Sequence, residues 1–235
     1  MLEWWWDRGY LPATSSSGPL SQNYRGVTDD PANHSQHIPI QQSCSVWIIG
    51  LPPNCTLSQL LSNVRGAGKI FRCYINPPSG VNETAAAKIV FWDRAGTDSF
   101  LNQYVWGCFR VGQYRPTVTM NRIRTGEQPQ SDCTRVLRIV GPDSIINERY
   151  LTAFFERHFY YELEEATVIH HNVANQTARI EFRFSSYKAQ SASAAELMEK
   201  AIVGDIDMSD EEMELWCQVR YFWGPDPCAS SNPRD

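Results

Sequence analysis

The chain has 235 residues, a formal net charge of −5, 42% hydrophobic and 20% charged residues, which suits a folded protein with one large domain or two of roughly 80–100 residues. No run approaches the ~18 apolar residues of a membrane span, and the start, MLEWWWDRGY, lacks the basic and apolar regions of a secretory leader, so the expected location is nucleus or cytoplasm, with no membrane partner. The seven cysteines (Cys44, Cys55, Cys73, Cys108, Cys133, Cys217, Cys228) include no C-x-x-C pair, which speaks against a disulfide framework or a zinc site and for reduced thiols, most of them in the core.

Residues 1–43 form an N-terminal arm. Its stretch 11–43 is rich in Ser, Gln, Asn, Pro and Gly, and is expected to be disordered because it cannot bury enough surface to offset the entropy of ordering. Trp4, Trp5 and Trp6 at its front are candidates for a short peptide anchor on a protein partner, or for docking on the protein's own surface.

SVWIIG (45–50) reads as a strand ended by Gly50, Pro52 and Pro53. Thr56 is a suitable N-cap for TLSQLLSNVRG, where Leu57, Leu60, Leu61 and Val64 recur at helical spacing. KIFRCYIN (69–76) is strand-like, PPSG (77–80) turns, and TAAAKIVFW (84–92) is a third strand. Asp93 caps a helix to about Trp106, and TVTMNR (117–122) is a fourth strand. TGEQPQSD (125–132) joins this unit to a second one. There VLRIVG (136–141) is a strand, 147–158 a helix, EATVIHH (165–171) and TARIEFRF (177–184) a strand pair, and 187–201 a helix. The acidic stretch 205–214 is expected to be a loop before a last strand, LWCQVRYF (215–222).

Both units therefore read β-α-β-β-α-β. The order predicts an α+β fold: two ferredoxin-like split βαβ sandwiches in tandem, each with four antiparallel strands, two helices on one face and the other face open. The boundaries are 44–125 for the first unit, 126–132 for the linker, 133–228 for the second unit and 229–235 for a C-terminal tail. Charge is divided unevenly between them. Residues 45–125 carry nine Lys/Arg against three Asp/Glu, and 132–228 carry nine against seventeen. A polyanion would be drawn to the first unit and repelled by the second.

VWIIGL (46–51) resembles the six-residue motif on the first strand of RNA-recognition-motif (RRM) domains, and TAAAKIVF (84–91) lies where that family's eight-residue motif falls. LRIVGP (137–142) and QTARIEF (176–182) take the same places in the second unit. The resemblance spans about 45–125 and 133–223. It implies a non-enzymatic protein without cofactor that binds single-stranded RNA on an open sheet face. The chain departs from the family on the third strand, where the two expected aromatics are Ala86 and Lys88 in the first unit and Thr177 and Arg179 in the second. The first-strand aromatic is Trp47 in the first unit but Arg138 in the second.

Strand alternation sends Val46 and Ile48 inward and Trp47 outward, beside Ala86 and Lys88. An open indole can stack on an unpaired base, and Lys88 can neutralise a phosphate. Arg72 and Tyr74 on the second strand, with Asn121, Arg122 and Arg124 after the fourth, complete the candidate RNA-binding set. Trp47 covered by the arm or the other unit, Tyr74 buried, and Arg72 or Lys88 merely solvated are the alternatives. Arg138 and Arg179 are weaker candidates. They are expected side by side, facing a phosphate or the unit's own 205–214 loop. The remaining reading is a scaffold of degenerate RRM units that contacts proteins in an RNA-processing assembly. No phosphate loop, G-x-S-x-G or H-E-x-x-H occurs, and His170-His171 on a strand would point to opposite faces.

Overall fold

Val46 and Ile48 alternate with Trp47 and Ile49, which gives the first strand one apolar face, and a register shift between Ile49 and Leu51 turns Leu51 back to that face. In the computed structural model, which describes residues 35–80 and 82–229, that strand is β1 (Ser45–Leu51). It is followed by α1 (Leu57–Leu61), β2 (Ile70–Asn76), β3 (Ala85–Phe91), α2 (Arg94–Val105) and β4 (Thr117–Met120). The second unit repeats the order with β5 (Val136–Pro142), α3 (Glu148–Glu156), β6 (Leu163–Asn172), β7 (Thr177–Phe184), α4 (Ala192–Ile202), α5 (Asp210–Trp216) and β8 (Arg220–Trp223). The sheets have the strand orders β2-β3-β1-β4 and β6-β7-β5-β8, with every pairing antiparallel. The fold is the expected α+β arrangement of two split βαβ sandwiches in tandem. Trp4, Trp5 and Trp6 lie outside the described residues.

Helix starts follow their caps. Thr56 and Gln59 form a reciprocal capping box (3.1 and 3.2 Å), Asp93 accepts from the Gly96 N–H (2.8 Å), and Asn147 accepts from the Tyr150 N–H (2.9 Å). The acidic stretch departs from expectation. Ser209 and Glu212 make another capping box, and Asp210, Glu211 and Glu212 occupy the first turn of α5, where the helix dipole favours negative charge. What was expected as a loop is a helix, and the last strand shortens to Arg220–Trp223. Trp216, expected near that strand, is fully buried from the end of this helix. A glycine pair brings α2 onto the chain before β2: a Cβ on Gly68 would lie 2.5 Å from the Gly96 Cα, so only glycine permits the approach.

Helices and inward strand residues enclose one core per unit. The first joins Leu60, Leu61, Phe100 and Leu101 to Val46, Ile48, Ile70, Cys73, Ile89 and Phe91. The second joins Leu151, Phe155, Met198 and Trp216 to Leu137, Ile139, Ile180 and Phe182. All seven cysteines are free, but only Cys44, Cys73 and Cys228 are buried, fewer than expected.

The second unit packs on the outer edge of β2. The Cys73 N–H donates to Ser186 Oγ (3.1 Å) and the Ile70 N–H to Asp226 Oδ2 (2.7 Å), so backbone groups that an edge strand leaves open are satisfied across the interface. Gly68 N–H donates to the Cys228 carbonyl (2.9 Å), and the Cys228 side chain lies in the first unit's core. Arg135, fully buried, pairs with Glu164 (2.5 Å) and Asp226 (3.1 Å), and Glu164 also meets Arg65 of the first unit (3.5 Å). Burial opposes the Arg135 charge, but the two carboxylates outweigh it and raise the guanidinium's pKa. At the other end, residues 35–43, placed in the arm by composition, run along 122–126: Gln36 N–H donates to the Arg124 carbonyl (3.0 Å) and Cys44 N–H to the Thr125 carbonyl (2.7 Å).

Candidate nucleic-acid interface

Antiparallel register places outward residues of the first sheet in cross-strand rows. Lys88 lies opposite Trp47 on one side and Tyr74 on the other, and Trp47 lies opposite Thr119. The central row is therefore Tyr74, Lys88, Trp47 and Thr119. The row towards the open end is Asn76, Ala86, Ile49 and Thr117. The row towards the second unit is Arg72, Val90 and Ser45, beside which the Asn121 N–H donates to the Ser45 carbonyl (2.9 Å).

Trp47 is half-buried, neither sealed nor fully open. Ile49 is 48% exposed and Tyr74 36%. Lys88 is half-buried among them, and burial together with the nearby Arg72 charge pulls its pKa down to about 8. Arg72 is mostly buried, its guanidinium 5.5 Å from the Phe71 ring centroid. Asn121 is buried and accepts from the Ile123 N–H (3.1 Å). Arg122 is exposed, and the half-buried Arg124 donates to the Ile38 carbonyl (2.7 Å). The structure thus brings Trp47, Lys88 and Tyr74 into one row with Arg72 in the next, while Asn121, Arg122 and Arg124 line the chain where residues 35–38 dock.

One end of this face is closed. Phe71, Val90 and Trp92 cluster with Cys133 of the following chain and Tyr187 of the second unit. The Trp92 and Tyr187 ring centroids are 5.0 Å apart. Lys69 sits 3.7 Å from the Trp92 ring centroid and donates to the Ser131 and Cys133 carbonyls (2.7 and 3.0 Å). Trp92 Nε1 donates to the Pro129 carbonyl (2.8 Å). The linker is therefore laid across the Trp92 end, and the accessible face narrows to the other two rows. Ile49 was not among the sequence candidates, although its place two residues after Trp47 puts it on the same face.

The second sheet carries different chemistry in the same rows. Arg138 lies opposite Glu181 and Phe222, and Glu181 lies opposite Thr167. Register thus makes Glu181 the counterpart of Lys88. Arg179 opposes Val140 and so matches Ala86; the motif alignment over 176–182 was two residues out of step. Arg138 and Arg179 consequently do not sit side by side. Arg138 is neutralised by Glu181 (2.7 Å), not by the 205–214 segment, and Arg183 holds Glu181 and Glu165 (2.7 and 2.9 Å). Phe222 is 56% exposed on this face, while Trp223 is half-buried against Tyr187 and Tyr221. His170 shares the Arg179 row, and His171 contacts Asp143 on the other side (2.8 Å). Among the described residues no group of three His, Cys, Asp or Glu could hold a metal ion, and no helix is long and apolar enough to cross a membrane.

No family model and no curated protein matches the chain. Solved structures that resemble it include the first two RRM domains of yeast poly(U)-binding protein Pub1, at 12% identity over 77% of this chain and 99% of that one, TM-score 0.30. RNA recognition domains 1 and 2 of Sex-lethal from Drosophila melanogaster align at 14% identity over 77% and 99%, TM-score 0.28. The three N-terminal RNA binding domains of yeast splicing factor Prp24 align at 12% over 77% and 64%, TM-score 0.31. Likeness at this level carries no argument about ligands; the element and strand orders carry the fold.

Proposed function

We propose that the chain is a non-enzymatic RNA-binding protein of the nucleus or cytoplasm that takes single-stranded RNA on the sheet face of its first unit. The observation that carries this reading is the row Tyr74, Lys88, Trp47: two rings and a cation on adjacent strands, in the unit with excess positive charge. A ring that stacks on a base contributes about 1–3 kcal/mol without selecting sequence, and cations make the affinity fall with salt. With only one ring at the motif positions and Tyr74 as a supplement, binding is expected to be micromolar. Anisotropy titration of a labelled short RNA at low salt tests it, and a flat curve with unshifted first-unit amide resonances rules it out.

A second reading, a protein-contact scaffold in an RNA-processing assembly, has its own observation. The face of the second unit pairs its central cation internally and exposes Phe222. A partner retained after nuclease treatment, and retained equally by Trp47→Ala, favours this reading over the first.

A further inference from the structure

Lys88 occupies the middle of a row whose two flanking positions are aromatic. Neighbouring strands lie about 4.8 Å apart, so the backbone positions of Trp47 and Tyr74 are separated by roughly 10 Å across Lys88. Stacked bases follow each other at about 3.4 Å. Rings rooted at positions so far apart are poorly placed for two stacked bases, but they suit two bases splayed to either side of the backbone that joins them. The group at the midpoint of such a pair is the bridging phosphate.

The midpoint is built for an anion. Among the described residues no carboxylate pairs with Lys88, and the charged neighbour that acts on it is Arg72, of like sign. Ala86 and Val90, next along β3 on the same face, add no polar group. A half-buried ammonium with no counter-charge is under-satisfied, which is why its proton is held less tightly than usual. A phosphate seated there would restore what burial removed, and a lysine's compact charge with three donors needs no planar, bidentate geometry to do so.

We infer that the row Tyr74, Lys88, Trp47 binds a single dinucleotide step, with the internucleotide phosphate on Lys88 and the two bases on the flanking rings; this rests on the RNA reading of the same face. The site then selects unstacked, single-stranded RNA, because a duplex holds its bases too close together to reach both rings. The closed Trp92 end confines the step to the two open rows.

Short oligouridylates carrying one uncharged methylphosphonate linkage, scanned through each position, test the assignment on the full chain. At one position the neutral linkage is expected to weaken wild-type binding about 10–100-fold. Lys88→Met is expected to weaken the natural oligonucleotide by a similar factor and to be indifferent to the methylphosphonate. Methionine removes a half-buried charge and keeps the stem length, so the variant should fold, and its amide spectrum checks that it does. An equal methylphosphonate penalty in wild type and Lys88→Met, or no penalty anywhere, overturns the phosphate assignment while leaving RNA binding intact. No binding of the natural oligonucleotide by wild type removes both readings.

Discussion

The two sheets share strand order, antiparallel pairing and inward packing, yet their outward rows are nearly opposite. Tyr74, Lys88, Trp47 and Thr119 cross the first face, where Thr167, Glu181, Arg138 and Phe222 cross the second. A cation without a carboxylate partner among the described residues stands in one; its counterpart in the other is a buried carboxylate gripped by two arginines. The difference teaches that the inward alternation alone supports the sandwich. The outward half of each strand is free to become a ligand surface or to cancel its own charge.

The largest expected effect tests what holds the contrasting faces in place. Arg135→Ala leaves Asp226 buried without its cation and Glu164 with only the longer contact to Arg65, and is expected to cost about 3–5 kcal/mol in urea unfolding. Arg138→Ala, whose side chain is 38% exposed, is expected to cost at most about 1 kcal/mol. Equal losses would mean that the interface ion cluster has no special weight.

Trp47→Ala comes next. It is expected to weaken single-stranded RNA binding by about 1–3 kcal/mol, whereas Phe222→Ala leaves the titration unchanged. Equal losses would erase the functional distinction between the faces.

The Lys88 amine gives a pH signature. Its free-state pKa of about 8 lies below that of an ordinary lysine, so the charged form is present below pH 8 and lost as pH rises through it. RNA affinity should be level below pH 7 and fall about tenfold by pH 9. Lys88→Arg, charged throughout, should flatten the profile; a flat profile in wild type would detach Lys88 from the ligand. The smallest effect is a gain. Glu181→Gln releases Arg138 and Arg183 from their shared partner, and at low salt should raise affinity for RNA by no more than about fivefold, an increment that disappears at high salt.

Some of this was open to reading and some was not. Trp47 and Lys88 were identifiable because alternation assigns each strand residue to a face and the two motif positions fix which strands are neighbours. Glu181 was missed as the counterpart of Lys88, because a pairing offset of two residues preserves the alternation pattern and so leaves no trace in it. Helix α5 was missed because four acids near one another resemble a solvated loop. The Ser209–Glu212 spacing that caps them was the signal available.

Hydrophobic periodicity, caps and turn residues by themselves determined the two β-α-β-β-α-β units, their tandem order and the charge division between them, because these depend on contacts close in sequence or on a strict period of two. Only tertiary structure decided that the second unit closes one end of the first face, that Cys228 returns to the first core, and that Arg135 is buried between Glu164 and Asp226. Those contacts join residues far apart along the chain. Which long-range pairs form depends on shape and desolvation at the assembled interface, and no local pattern encodes that.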